Sequence, residues 1–198
     1  MTAVVFDIGN VLVRWDARLA FAGATGGLDA AEAFMARIGF DALNLRADGG
    51  ERFADLAAQI ADPADRTIFR SYVENHSLAI AERIDGTWDI LDRLRNRGVA
   101  THAITNWSAE TWPAGLRAHP GLATAFGATV VSGHEGVVKP DPAIFAILCA
   151  RTGLAPGDCV FVDDNIHNVA GAVAAGMDAI HFTGAAALEA ALTARGLL

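Results

Sequence analysis

Ala3-Val4-Val5-Phe6-Asp7-Ile8-Gly9-Asn10 opens the chain with an apolar run that stops on an acid and then turns on glycine and asparagine. Val4, Val5 and Phe6 favour extended backbone, and a near-continuous apolar run predicts a strand buried on both faces. Four more short apolar runs read as strands: Val99 to Thr105, Ala128 to Ser132, Cys159 to Val162 and Ala179 to Phe182. Helical patterns separate them. Thr87 to Arg97 carries Trp88, Leu91 and Leu94 on one face and stops at Gly98, and Pro142 to Thr152 begins on proline and ends before Gly153. Ser108 to Ala118, Asn165 to Ala175 and Ala185 to Ala194 complete the alternation. Strands alternating with helices predict an α/β protein, a Rossmann-like parallel sheet with helices on both faces.

The segment from about Ala17 to Ile80 reads differently. It is rich in Ala, Leu and Arg, shows helical spacing without a strong strand, and is punctuated by Gly26-Gly27, Gly49-Gly50 and Asp62-Pro63. It predicts three to five helices forming an insert. The expected organisation is an α/β core from residues 1–15 and 83–198 with a helical cap at 16–82.

With 53% hydrophobic and 19% charged residues, the 198-residue chain has the balance of a packed globular protein rather than a disordered one. Its formal net charge of -8 argues against nucleic acid or an anionic membrane as a general partner, but not against a small anionic ligand at a local site. No apolar stretch reaches the length of a membrane span, and no charged leader precedes the first apolar run. The expectation is a cytoplasmic monomer or homodimer. Cys149 and Cys159 lack metal-site spacing and read as buried reduced thiols.

In open α/β sheets, ligands bind beyond the carboxyl ends of the strands. The residues there are Asp7, Gly9 and Asn10, then Thr105 and Asn106, then Lys139, then Asp163 and Asp164. Taken singly, each has a plain structural explanation: a turn residue, a helix cap or a surface lysine. Their joint placement on one rim is what points to chemistry. Three clustered carboxylates repel one another and would repel a phosphate, and a divalent cation relieves both. Mg²⁺ suits one or two carboxylates with water and phosphate oxygens. The expected ligands are Asp7 and Asp164, with Asp163 direct or water-mediated and the Gly9 carbonyl as an addition. Asp7 would then attack phosphorus, Lys139 would stabilise the transferring charge, and Thr105, Asn106 and a helix opening after Asn106 would hold phosphate oxygens.

At this point the chain resembles the haloacid dehalogenase-like hydrolase superfamily over essentially its whole length. The motifs are Phe6-Asp7-Ile8-Gly9-Asn10-Val11-Leu12, Ile104-Thr105-Asn106, Val138-Lys139-Pro140-Asp141-Pro142 and Phe161-Val162-Asp163-Asp164-Asn165 with Asn168. The resemblance implies that Asp7 is the nucleophile, that Thr105 and Asn106 bind phosphate, that Lys139 orients and stabilises, and that Asp164 holds Mg²⁺. Asn10, Asn165 and Asn168 are supporting residues. The family's dehalogenases carry small uncharged residues where Asp163 and Asp164 stand, so two acids favour phosphoryl transfer.

Phosphatases of the family usually carry a second acid two residues after the nucleophile, where this chain has Gly9. General acid–base help is typically worth about 10²–10⁴ in rate. The Asp-x-Gly-Asn-Val form resembles a subgroup of sugar-phosphate (glucose-1-phosphate) phosphatases, in which the leaving group is good. Asp16, Asp41 and His76 are candidate substitutes from the cap. Arg14 and Arg46 are candidates for an anionic substrate tail, Trp15 and Trp107 for substrate contact, and His167 for lining the site; His102 and His181 read as strand residues. The expected activity is a Mg-dependent phosphatase acting on a small phosphorylated metabolite. The alternatives are a metal-independent 2-haloacid dehalogenase and a non-catalytic phosphometabolite-binding module.

Overall fold

A computed structural model describes residues 2–198. Five parallel strands form one sheet: β1 (Ala3–Phe6), β2 (Ala100–Thr105), β3 (Thr129–Val131), β4 (Cys159–Asp163) and β5 (Asp178–His181), in the order β3-β2-β1-β4-β5. The central strand is β1, with Phe6 opposite Ala103 on one side and Val162 on the other. Its side chains are buried on both faces. Val4 and Phe6 join one apolar cluster with Val160 and Val162, whereas Val5 joins another with Cys159 and Phe161. That division is the two-residue strand period expressed as packing.

Twelve helices surround the sheet among the described residues. Seven follow β1 before the next strand, and the first six make up the insert: α1 (Ala17–Thr25), α2 (Leu28–Ile38), α3 (Phe40–Asp48), α4 (Phe53–Ala57), α5 (Pro63–Arg70) and α6 (Tyr72–Ala79). The sequence predicts three to five here. The difference arises at short elements, because α4 has five residues and Ser71 alone separates α5 from α6. These helices carry their own apolar cluster around Phe21, Phe34, Phe40, Phe53, Phe69 and Tyr72.

The insert joins the core through two adjacent backbone segments. Arg14 N donates to Glu82 O at 2.9 Å, Asp16 N to Ala79 O at 2.9 Å, and Ile84 N to Leu12 O at 2.9 Å. The remaining helices are α7 (Asp85–Asn96), α8 (Trp112–Ala118), α9 (Ser132–Glu135), α10 (Pro142–Thr152), α11 (Ile166–Ala174) and α12 (Ala185–Ala194). Leucines of α7 and α12 cover one face of the sheet, and Ile144, Phe145 and Leu148 of α10 cover the other.

Two local expectations change. Residues 108–111 are a turn in which Ser108 Oγ accepts from Glu110 N, so α8 begins at Trp112 and no helix opens directly after Asn106. The third strand ends at Val131 because Ser132 starts the short α9. Cys159 is buried, Cys149 is half-buried, and both are free thiols. No helix among the described residues is long and apolar enough to cross a membrane.

Candidate active site

The strand order reverses direction at β1, between β2 and β4, which is where open α/β sheets hold ligands. Asp7 N donates to Val162 O at 2.8 Å, which sets Asp7 beside Asp163 at the strand ends. Beyond β1 the chain turns sharply, with Asn10 in the left-handed region at φ 54°. Asn10 Oδ1 accepts from Trp15 N at 3.0 Å, closing that turn.

Lys139 lies under the site with its side chain fully buried. Its Nζ is 2.8 Å from Asp7 Oδ1 and 2.7 Å from Asp163 Oδ2, and donates to Ile104 O at 3.1 Å. Its backbone is clamped by Asn106, whose Oδ1 accepts from Lys139 N at 2.8 Å and whose amide donates to Lys139 O at 3.1 Å. The following residue, Pro140, sits against Gly171 of α11. A Cβ at Gly171 would lie 2.6 Å from the Pro140 Cβ, so only glycine permits that approach.

Burial pushes the Asp7 carboxyl up to about 7, with Lys139 opposing the rise and Asp163 adding to it. Burial works against the Lys139 charge, but Asp7 and Asp163 outweigh it and hold the ammonium above the ordinary lysine range. Burial, then the charge of Asp163, also raises Asp164, which has the Asn10 side chain beside it. Three acids therefore share one lysine, leaving excess negative charge in a low-dielectric site.

Oxygens of Asp7, Asp163 and Asp164 lie within 4.8 Å of one another. The set contains only carboxylate oxygens, which suits a hard divalent cation rather than zinc. The three differ in access. Asp7 and half-buried Asp164 line a cavity of about 230 Å³, whereas Asp163 is fully buried and lies behind it. Asp163 Oδ1 accepts from Asn165 N and Asn168 Nδ2, and Oδ2 accepts from Lys139 Nζ and Asn168 Nδ2. Those contacts fill the acceptor capacity of one carboxylate. Asn165 also caps α11 by accepting from His167 N at 2.9 Å.

Gly9, Asn10, Asn106, Asn165 and Asn168 line the cavity, and Thr105 is buried at the end of β2. The roof comes from Trp15 just before the insert, from Asn44, Asp48, Tyr72 and His76 of the insert, and from Trp107 and Thr111 of the β2–α8 connection. Trp15 and Trp107 thus both reach the cavity, and Trp15 Nε1 donates to the Tyr72 hydroxyl at 2.9 Å. Several expectations fail. Arg14 pairs with Glu82 at the surface, and Arg46 pairs with Glu51 and bonds Gln59, so neither lines the cavity. His167 is exposed outside it. Asp16 caps α1 and pairs with Arg18, which holds its carboxyl below the usual range, and Asp41 is exposed elsewhere.

His76 does line the cavity, but burial pushes it down to about 4, so it is neutral near pH 7. Asp48 went unnoticed in the sequence. It ends α3, is 9% exposed, and accepts from Asn44 Nδ2 at 3.0 Å. Burial pushes its carboxyl up to about 7, against the lowering effects of the Ser108 backbone N–H and Lys139. The available signal was an acid in the last turn of a helix, just before Gly49-Gly50. There the helix dipole disfavours negative charge.

Residues 1–176 match the haloacid dehalogenase-like hydrolase family. A phosphoglycolate phosphatase of Pseudomonas putida is 29% identical over 135 residues, covering 68% of this chain and 48% of that protein. A fructose-1-phosphate phosphatase of Escherichia coli is 40% identical over 65 residues, covering 33% and 35%. A chloroplast flavin mononucleotide hydrolase of Arabidopsis thaliana is 30% identical over 114 residues, covering 58% and 46%. The matches thus span about half or less of the length of these curated relatives. Among solved structures, a HAD family enzyme of Bacteroides thetaiotaomicron superposes with a TM-score of 0.73 at 18% identity, covering 93% of this chain and 94% of that one. A dehalogenase superposes with a TM-score of 0.66 at 21% identity, covering 92% and 85%. At these identities the likeness is one of fold.

Proposed function

Because this chain belongs to the haloacid dehalogenase-like hydrolase family, we propose that it is a Mg²⁺-dependent phosphatase of small phosphate monoesters that works through an aspartyl-phosphate on Asp7. One observation carries the reading: Asp7 and Asp164 share the floor of one cavity while a buried lysine bridges Asp7 and Asp163 beneath it. A site that attacks a neutral carbon has no use for this excess of acids, whereas one that binds a cation and a phosphate does. In this reading residues 16–82 form a cap over a core of residues 1–15 and 83–198.

The residues divide the work. Asp7 and Asp164, with the Gly9 carbonyl, would hold the ion. When bound, Mg²⁺ neutralises the carboxylate pair and the phosphate and polarises the phosphoryl group. Lys139 favours the ionised form of Asp7 and offers positive charge next to the reacting phosphoryl group. Asp163 lies behind the cavity wall, where with Asn168 it would fix Lys139. Asn106 positions Lys139 through its backbone and, with a second amide N–H at the cavity wall, shares the phosphate contacts with Thr105 and neighbouring backbone N–H groups.

The cavity favours a sugar phosphate. It is smaller than the roughly 300–1,000 Å³ of drug-sized pockets. No lysine or arginine lines it, so nothing there answers a second anionic group on the substrate. Aromatic faces of Trp15, Tyr72 and Trp107 with the polar groups of Asn44 and Asp48 suit a small, uncharged, hydroxyl-bearing leaving group. The fructose-1-phosphate phosphatase among the relatives supports the same substrate class.

The test is phosphate release from sugar phosphates and p-nitrophenyl phosphate, with Mg²⁺ and with EDTA, using Asp7→Asn as the blank. Turnover requiring both Mg²⁺ and Asp7 is expected. No release above the blank rejects the proposal. Halide release from 2-haloacids without metal would then mark a dehalogenase, and Mg²⁺ or phosphate binding without turnover a binding module.

A further inference from the structure

Within the phosphatase reading, on which this step rests, we propose that Asp48, carried on the insert, is the general acid and base of the site and takes the role left open at Gly9. Three carboxylates line the cavity: Asp7, Asp164 and Asp48. The first two sit at the strand ends, and Asp48 alone belongs to the roof, the side from which the organic part of the ester must depart. No other group that could give up a proton competes. Asp16 and Asp41 lie outside the cavity, and His76 is neutral. Tyr72 lines it, but burial raises its phenol far above neutral pH.

Asp48 is held with an acid's requirements in view. Asn44 Nδ2 orients the carboxyl from within the insert, and the Ser108 backbone N–H faces it from the core. Among the described residues no lysine or arginine comes within 4 Å of it, so no ion pair locks it as a carboxylate. The charged and titratable groups facing it are Lys139 below, and Tyr72 and His76 of α6 beside it. Its lodging at the end of α3 and its burial both favour the protonated form near neutrality.

The backbone after it docks on the core. Gly50 has φ +98°, and a Cβ there would stand 3.3 Å from Gly133 O, so the Asp48 turn is seated rather than free.

The steps balance. An Asp7 oxygen bonds to phosphorus as the phosphorus–ester oxygen bond breaks. The departing oxygen takes the proton of the Asp48 carboxyl and leaves as an alcohol, and Asp48 becomes a carboxylate. Water then enters the vacated side and attacks phosphorus, giving its proton to Asp48. The bond from phosphorus to Asp7 breaks, inorganic phosphate forms, and both residues return to their starting states.

The experiment compares Asp48→Asn with wild type on two probes, glucose 1-phosphate and p-nitrophenyl phosphate, in the presence of Mg²⁺. Nitrophenolate departs without a proton, whereas the anomeric oxygen of glucose, a better leaving group than an alkyl alkoxide, is still far more basic than nitrophenolate and needs one. For p-nitrophenyl phosphate the variant should keep a first-turnover burst within about 3-fold of wild type, followed by steady turnover slowed about 10²–10⁴-fold. For glucose 1-phosphate the first turnover itself should slow by about 10²–10⁴-fold.

Equal slowing of both first turnovers, or no slowing of either probe, overturns the assignment. The burst also reports an intact site. If the variant shows no burst because it is unfolded, Asp48→Glu decides, since recovery of turnover supports an acid at this place and its failure rejects one. Wild type inert toward both probes would reject the phosphatase reading itself, a different result from an active wild type indifferent to Asp48.

Discussion

Asn106 grips Lys139 by its backbone, accepting from its N–H at 2.8 Å and donating to its carbonyl at 3.1 Å. The two residues are 33 apart in the chain, and the pair of bonds makes a side chain of the β2 rim into the mount for the only lysine of the site. Each end of the Asn106 amide is held by one of these bonds, which fixes the side chain where it lines the cavity. Asn106→Ala should therefore lower kcat about 10²-fold, the usual cost of displacing a catalytic group by about 1 Å, with little change in KM. Steady-state kinetics on the best substrate of the panel checks this. A large rise in KM at unchanged kcat would instead assign the side chain to substrate binding.

Lys139 is the single cation compensating two buried carboxylates. Removing it as Lys139→Met should destabilise the fold by about 3–5 kcal/mol, because buried charges are left unpaired. Asp163→Asn in the same chain should recover part of that loss. Urea melts of the single and double variants measure both. Additive losses would mean the pair is not coupled.

Mg²⁺ bound between Asp7 and Asp164 should raise the melting temperature, because a ligand that binds only the folded chain stabilises it by about 2.7 kcal/mol at a hundredfold excess over Kd. Asp164→Asn should abolish the shift. Thermal melts in Mg²⁺ and in EDTA give the comparison, and identical wild-type curves would count against a metal site.

His76 is buried with both ring nitrogens lacking a partner, and burial pushes it down to about 4. The unfolded imidazole has a pKa of about 6.5. Between about pH 6.5 and 4 the unfolded chain binds a proton that the folded chain does not. The stability due to neutral His76 is thus complete above about 6.5 and lost as the pH falls toward 4, by roughly 3 kcal/mol in all. His76→Phe should lose less stability on acidification, in urea melts at pH 7.5 and 4.5. An equal loss in both proteins would show that His76 does not titrate this way.

The reading of the strand ends succeeded where local chemistry and position coincide. Asp7, Lys139 and Asp164 follow or flank apolar runs, and a parallel sheet collects such residues on one rim. It could not name a partner that lies far along the chain. Asn106 was expected to hold phosphate, and the structure adds that its amide clamps the Lys139 backbone. Asp164 was expected as a ligand and Asp163 as a direct or water-mediated one, and it took the fold to show Asn165, Asn168 and Lys139 on the Asp163 oxygens while Asp164 faces the cavity. Arg46 was a candidate for an anionic tail with a solvated helix face as the simpler reading, and Glu51 and Gln59 hold it at the surface.

By itself the sequence determined the alternation of strands and helices, the helical insert after the first strand, and the acids and lysine that meet at the sheet's edge. These follow from hydrophobic period and from which residues end each apolar run, both local properties. Only the tertiary structure decided which carboxylates open to the cavity, which cations reach it, and that Asp48 enters from the insert. Those depend on how an independently packed set of helices settles over the sheet. That packing is set by contacts between residues distant in sequence, and no local pattern encodes them.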